Sequence, residues 1–278
     1  RSSDLGIAAQ SVGLSQAAYN EALAYAKDRK QFGKAIIEFP AVAEILSLMK
    51  AKLDASRSLL YETARFVDVY KALDDIAKER KLTPEERAEQ KTFAKLADAF
   101  TPLGKGMGSE FANQNAYDCI QIHGGSGFMK DYACERIYRD SRITSIYEGT
   151  TQLQVVAAIR YVTTGAYLAR IQEYENMPVA PELEGLQNRL KSMASKYAAC
   201  VTQITEAKDQ ELLDFCARRL VEMAAHIIMG HLMVQDASKS DLFSESAQVY
   251  VRYAEAEVEK HINFIRKFDK DDLAYYRK

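Results

Sequence analysis

Apolar positions recur at helical spacing along almost the whole chain. Over residues 4–28, Leu5, Ala8, Ala9, Val12, Ala17, Leu23 and Ala26 mark one stripe that no proline interrupts. Lys27, Arg29 and Lys30 crowd its C-terminal end, where a helix dipole favours cations, and Gln31-Phe32-Gly33 breaks the pattern at glycine. A second stripe starts at Phe39-Pro40 and carries Val42, Ile45, Leu46, Met49, Leu53, Leu60, Ala64 and Val67 to about residue 70. The charged stretch Lys71 to Lys81 reads as solvated. Thr83-Pro84-Glu85-Glu86 is a helix start, with a hydroxyl cap, Pro at the first position and Glu three residues after the Thr. Phe93, Leu96, Ala97, Phe100, Leu103, Met107 and Phe111 continue that helix to about His123, where Gly124-Gly-Ser-Gly127 stops it.

A short helix around 132–140 and another from about Thr150 to Thr163 follow, the latter with Leu153, Val156, Ala157 and Tyr161 facing inward. Residues 166–180 read as a boundary, with Asn176, Pro178 and Pro181 marking a linker. Three more amphipathic helices are predicted beyond it. Leu183, Leu186, Leu190, Met193, Tyr197, Val201 and Ile204 define the first. Leu212, Phe215, Cys216, Leu220, Met223, Ile227, His231 and Val234 define the second, and Ala247, Tyr250, Ala254, Val258, Ile262, Ile265 and Phe268 the third. The expectation is an all-α protein: an antiparallel up-and-down helical bundle over residues 1–165, then a second helical region over 166–278.

Composition agrees. The 278 residues hold only 13 Gly and 5 Pro, and 47% are hydrophobic. A formal net charge of −2 gives no electrostatic pull toward nucleic acid. No apolar run approaches the ~20 residues that a membrane helix needs, so no membrane insertion is expected. Cys119, Cys134, Cys200 and Cys216 form no CxxC pair and read as reduced thiols of a cytoplasmic protein, with no metal site. His226 and His231 lie five apart, the wrong spacing for one helical face. Glu222 and His226 share a face, but no second such pair completes a di-iron set.

Three stretches could carry chemistry. Gln121-Ile-His-Gly-Gly-Ser-Gly-Phe128 has more glycine than one helix cap uses, which suggests a close backbone or a flat ligand. Arg29-Lys-Gln-Phe-Gly33 is either a solvated helix end or an anion site with Arg29 as bidentate donor. His123 reads as structural, held by carbonyls at the helix terminus. In Ile146-Tyr-Glu-Gly-Thr-Thr-Gln-Leu-Gln154, Glu148 is either a capping acid or a base whose proton affinity is raised by burial against Ile146 and Tyr147. Chemistry alone leaves that choice open.

Together, RKQFG at 29–33, QIHGGSGF at 121–128 and RDSRITSIYEGTTQLQ at 139–154 resemble the C-terminal helical domain of the acyl-CoA dehydrogenase family in order and spacing. The similarity covers residues ~4–165. It implies an FAD enzyme of the fatty acid β-oxidation type that desaturates an acyl-CoA between Cα and Cβ, passes electrons to an electron-transfer flavoprotein, and works as a homodimer or homotetramer. Glu148 matches the family's α-proton-abstracting base. Arg29 matches the arginine reaching the FAD pyrophosphate of the neighbouring subunit, and Gln31 and Phe32 match its neighbours there. Gln121 and Gly125 match the loop on that flavin's adenosine side. Thr150 and Gln152 match contacts to the FAD of the same subunit.

Two departures stand out. Asp4 occupies the place where many relatives carry a CoA-contacting arginine, with Arg1 as the alternative contact. Residues 166–278 extend past the usual end of the domain and resemble the extra helical region of long members. The family's N-terminal helical and middle β domains have no counterpart in this sequence. The expectation is therefore a C-terminal part that folds, holds FAD poorly and is inactive alone. An acyl-CoA oxidase-like enzyme using O₂ and a non-catalytic helical scaffold are the competing readings.

Overall fold

The computed structural model describes residues 2–277; Arg1, weighed above as a CoA contact, lies outside the described residues. The fold is all-α, as the periodicity predicts. α1 spans Ser2–Asp28 and ends in a two-residue antiparallel hairpin, β1 Lys30–Gln31 and β2 Lys34–Ala35. The sequence pattern shows only a glycine break there. Phe32 (φ 51°) and Gly33 (φ 84°) form its tip, and positive φ at both central residues matches the twist of a tight hairpin. α2 is Pro40–Glu79 and α3 is Pro84–His123, each of 40 residues. α2 therefore runs past residue 70: the charged stretch continues the helix, with Leu73 buried and its neighbours exposed.

α3 starts as predicted. The Thr83 hydroxyl accepts from Glu86 N (3.2 Å), and the Glu86 carboxylate accepts from Thr83 N (2.9 Å). α4 (Gly125–Phe128) and α5 (Cys134–Ser141) follow, then a 3₁₀ turn, Arg142–Ser145. α6 is Thr151–Thr163. Two compact units divide the chain, residues 1–154 and 155–278, so the division falls inside α6. In the first unit α1 and α2 both pack on α3.

The inward face of α6 differs from the expectation. Thr151, Gln154, Ala158, Tyr161 and Val162 are buried, whereas Leu153 and Val156 are 57% and 67% exposed and Ala157 is exposed too. Only Tyr161 of the predicted inward set points in. The predicted linker is also partly helical: α7 covers Ala166–Glu175, beginning after Gly165 in a left-handed conformation (φ 76°). Its buried Tyr167, Ile171 and Tyr174 are a 3.6-period stripe that the following prolines obscured.

α8 (Glu184–Glu206), α9 (Gln210–Lys239) and α10 (Ser244–Lys267) complete the second unit, ahead of a 3₁₀ segment, Lys270–Tyr276. Every residue from Met223 to Val234 is buried, so α9 is the central helix. No described helix is long and apolar enough to cross a membrane.

Candidate functional site

The resembling residues fall into two groups along α3. The first lies at the joined C-terminal ends of α1 and α3. Ala22, Ala26, Cys119, Ile122 and Cys134 form one buried cluster, with Ile36 and Ile37 beyond the hairpin packed against it. Tyr25 stacks on His123 at 4.3 Å, and Tyr132 meets both rings edge-on. This platform carries Arg29, Gln31 and Phe32 on one side and Gln121 and Gly125 on the other, all exposed. Phe32 is 93% exposed, a ring that water disfavours on a backbone that a non-glycine residue rarely adopts.

The glycine cluster separates into three roles. Gly124 takes a positive φ (58°) at the end of α3. A side chain on Gly127 would stand 2.7 Å from the Ile120 carbonyl oxygen and 2.9 Å from His123 Cβ, so close approach of the chain's own backbone requires glycine there. Gly125 has neither constraint and faces open space. Of the three, it is the one the fold leaves available to a flat ligand. His123 is structural as predicted, with Nδ1 2.8 Å from the Cys119 carbonyl oxygen. The fold brings Cys119 and Cys134, fifteen positions apart, together with His123, their ligand-type atoms within 4.8 Å of one another. Burial pushes the Cys119 thiol well above its ordinary range and raises Cys134 too, so both persist as thiols.

The second group surrounds Glu148. Asn113 Nδ2 donates to the Ser141 carbonyl (3.0 Å) and Thr151 Oγ1 donates to Glu110 (2.6 Å), so α3 holds both ends of the segment between α5 and α6. The Tyr147 hydroxyl donates to Gln10 on α1. Glu148 (φ 53°) and Gly149 (φ 96°) both take left-handed backbone, and the Glu148 residue is exposed. The expected burial against Ile146 and Tyr147 does not occur within this chain: Ile146 is itself 42% exposed and Tyr147 is half-buried. Nor is Glu148 the cap of α6. The first helical bond runs from Gln154 N to Thr150 O, and the Thr150 hydroxyl accepts from Leu153 N (3.4 Å). Thr150 is partly exposed and Gln152 exposed. Thr151 and Gln152 border a polar cleft of about 510 Å³ whose walls include Glu110 and Arg142, with Tyr117 and Tyr138 exposed beside it.

Beneath the turn sits a residue that the sequence reading missed. Lys105, midway along α3, has no exposed surface, and its ammonium donates to the Gly149 carbonyl. Burial pulls its proton affinity below the ordinary lysine range, against attraction from Asp4, Glu110 and Glu148. The only signal in the sequence is a charge amid the small residues of Gly104-Lys-Gly-Met-Gly108.

Lys105 and Ile122 mark the two groups, and 17 residues of α-helix separate them by roughly 25 Å. The chain thus presents two outward patches rather than one converged site.

A family model described as "Acyl-CoA dehydrogenase, C-terminal domain" matches residues 3–160, and one described as "Acyl-CoA dehydrogenase C terminal" matches 163–273. The caffeyl-CoA reductase-Etf complex subunit CarC of Acetobacterium woodii is 39% identical over 150 residues, 54% of this chain and 33% of that protein. An acyl-CoA dehydrogenase of Bacillus subtilis is 35% identical over 161 residues, 58% and 36% of the two chains. The chain thus spans about a third of the length of these curated relatives. Among solved structures, a Bacillus anthracis acyl-CoA dehydrogenase complexed with FAD superposes over 99% of this chain and 50% of its own, with TM-score 0.74 and 24% identity. Caenorhabditis elegans ACDH-11 in complex with C11-CoA covers 90% of this chain and 42% of its own at TM-score 0.69 and 22% identity. At those identities the likeness is one of fold.

Proposed function

The chain belongs to the acyl-CoA dehydrogenase family, and from that premise we propose that it is the C-terminal part of an FAD-dependent enzyme that desaturates an acyl-CoA thioester, with Glu148 as the base. One observation carries the assignment. Glu148 is exposed on strained backbone, and the cap of α6, the role that would explain an acid there, belongs to Thr150. A left-handed non-glycine residue costs on the order of 1 kcal/mol, and such strain is characteristic of working positions.

The residues present fit FAD in two places. Thr150 and Gln152 stand beside Glu148 and would hold the flavin of the same subunit. Arg29, Gln31, Phe32, Gln121 and Gly125 form the other patch, with an open face over Gly125 and an uncovered ring at Phe32. A separation of roughly 25 Å along α3 favours their serving the cofactor of a second copy, so the working form is a homodimer or homotetramer. When bound, FAD supplies the hydride acceptor for Cβ. The chain's own part is to hold Glu148 where its carboxylate takes the α-proton, and to place that carboxylate where a covering domain excludes water. Burial of the base is thus a property of the assembled enzyme. Residues 1–165 form the catalytic helical domain and 166–278 an extension for packing or assembly. An electron-transfer flavoprotein is the electron acceptor. Two relatives, the CarC subunit and a 3-(aryl)acrylate reductase of Clostridium sporogenes (38% identical), carry names of the reverse reaction. They favour a second reading in which the same residues protonate Cα of an enoyl thioester.

The test uses the protein together with the upstream domains that the family carries, loaded with FAD and kept free of oxygen. Bleaching of the flavin band by one member of a saturated acyl-CoA panel supports desaturation. Reoxidation of reduced flavin by an enoyl-CoA, without bleaching by any saturated thioester, selects the reverse reaction. A flavin that responds to neither overturns both.

A further inference from the structure

A lysine wholly removed from water is an expensive way to fill space. A fold needing only volume at position 105 would be served by Leu or Met, because a buried ammonium must recover its lost hydration from partners. The partner that Lys105 meets is the Gly149 carbonyl, which also accepts from Gln154 Nε2 at 3.3 Å. Both donors thus grip one oxygen of the turn that carries Glu148. The grip falls on strained backbone, since Glu148 and Gly149 are left-handed in succession. Neighbouring elements close over α3 on either side of Lys105: a Cβ at Gly104 would stand 3.7 Å from Ala8 Cβ, and one at Gly106 3.6 Å from Gln154 Cβ, both packing distances. The charges facing the ammonium are all carboxylates, Asp4 on α1, Glu110 on α3 and Glu148 on the turn. Glu110 is already engaged by the Thr151 hydroxyl.

We propose that Lys105 is the positioning residue of the Glu148 turn: its ammonium, anchored on the Gly149 carbonyl, fixes where the Glu148 carboxylate stands and sets the positive charge against which that carboxylate exchanges its proton. The proposal rests on the reading of Glu148 as the base. Lys105 touches no reacting atom. It acts through the turn and through its charge.

Two experiments test it. In the FAD-loaded full enzyme, Lys105→Met keeps the flavin and the KM for acyl-CoA, lowers kcat on the order of 10²-fold, as a misplaced base does, and moves the acid limb of the rate-versus-pH profile to higher pH. Lys105→Arg, which keeps the charge, returns that limb toward its original place. A Lys105→Met enzyme that loses only thermal stability, with kcat and the acid limb in place, overturns the proposal. The second experiment needs no activity and uses the 278-residue chain itself, with Lys105 followed by ¹⁵N side-chain NMR. Coupling between two sites is reciprocal, so Glu148→Gln, a change at an exposed position, lowers the pH at which Lys105 releases its proton. An unchanged Lys105 titration in Glu148→Gln overturns the proposal even where Lys105→Met fails to fold. The base reading fails separately: a Glu148→Gln full enzyme that still turns over removes Glu148 as the base, while a shifted Lys105 titration still reports the contact.

Discussion

The two units treat irregularity in opposite ways. Residues 2–154 carry theirs at the surface: Phe32 and Glu148 take positive φ, and Phe32 and Phe128 are 93% and 83% exposed. Residues 155–277 turn their polar chemistry inward. His226 Nδ1 meets the Tyr250 hydroxyl at 3.1 Å, His261 Nε2 meets Glu222 at 2.9 Å, and His231 stacks on Tyr174, all around the buried α9. The second unit has Lys208 at positive φ and exposes Leu242 and Tyr275, but at loops and near its end. The contrast separates irregular backbone and bare rings at one surface from polar side chains packed around one central helix. The strained Glu148–Gly149 turn is held by Lys105 and Gln154 through the Gly149 carbonyl, which marks it as a position the fold maintains. His226 and Tyr250 satisfy one another and His231 packs its ring on Tyr174, contacts that point to packing.

The largest expected effect lies in the first unit. Glu148→Gln lowers turnover of the full enzyme by about 10²- to 10⁴-fold while the flavin stays bound, read by anaerobic bleaching. Retained turnover would remove the functional half of the contrast. Next comes acid sensitivity in the second unit. Burial holds His226 down at about 4, against the pull of Glu222 and Glu257, and burial likewise holds His231 at about 4. Both are neutral in the fold, and the unfolded chain takes up more protons below about 6.5. Their stabilisation is therefore complete above that pH and is lost as pH falls from 6.5 toward 4, at most roughly 3 kcal/mol per histidine. Burial alone would raise Glu222, but His261 and Arg218 hold it at about 2, so it adds a loss of the same sign below pH 4.5. Thermal melts at pH 7 and pH 4.5 check this, and His226→Gln with His231→Gln should flatten the difference.

One substitution made in both units sharpens the comparison further. At Gly127 a new Cβ meets backbone, and Gly127→Ala should cost about 1–3 kcal/mol and lower Tm. At Gly230 the nearest atom is the terminal methyl of Leu190, which can rotate aside, and Ala favours a helix interior by about 1 kcal/mol. Gly230→Ala should therefore shift Tm less than Gly127→Ala. The smallest effect is Thr83→Ala, which removes the cap of α3 and costs about 1 kcal/mol, read from the urea midpoint.

Much of this architecture is legible in the sequence because a 3.6-residue stripe needs no long-range information. The Thr83 cap and the stripes of α8 to α10 follow from spacing alone. What failed did so for physical reasons. On α6 the apolar Leu153, Val156 and Ala157 face out and Thr151 and Gln154 face in, since those two bond Glu110 and Gly149. Hydrophobicity sets a helix phase only where burial is decided by apolar area. α7 was masked by the prolines after it. Glu148 was singled out through resemblance, whereas the burial by its neighbours invoked for it does not occur: Ile146 is 42% exposed and Tyr147 half-buried. Lys105 was invisible because a lysine in a helical stripe reads as solvated until a carbonyl from residue 149 is placed above it.

The middle of α3 has a further consequence, for the order in which the molecule forms. Thr101 to Ser109 is buried without a break, yet it holds Pro102, Gly104, Gly106 and Gly108. Relative to alanine, those four residues weaken intrinsic helicity by roughly 6 kcal/mol in sum. Such a segment does not nucleate a helix by itself. It becomes one when Ala8 and Ser11 of α1 and Gln154 of α6 close on the glycine surfaces. An excised peptide over residues 98–112 should be a coil, and amide exchange at the centre of α3 should require opening of the whole first unit. Lys105 thus reaches the Glu148 turn only in a fully assembled bundle, and a partly folded chain leaves that turn without its anchor.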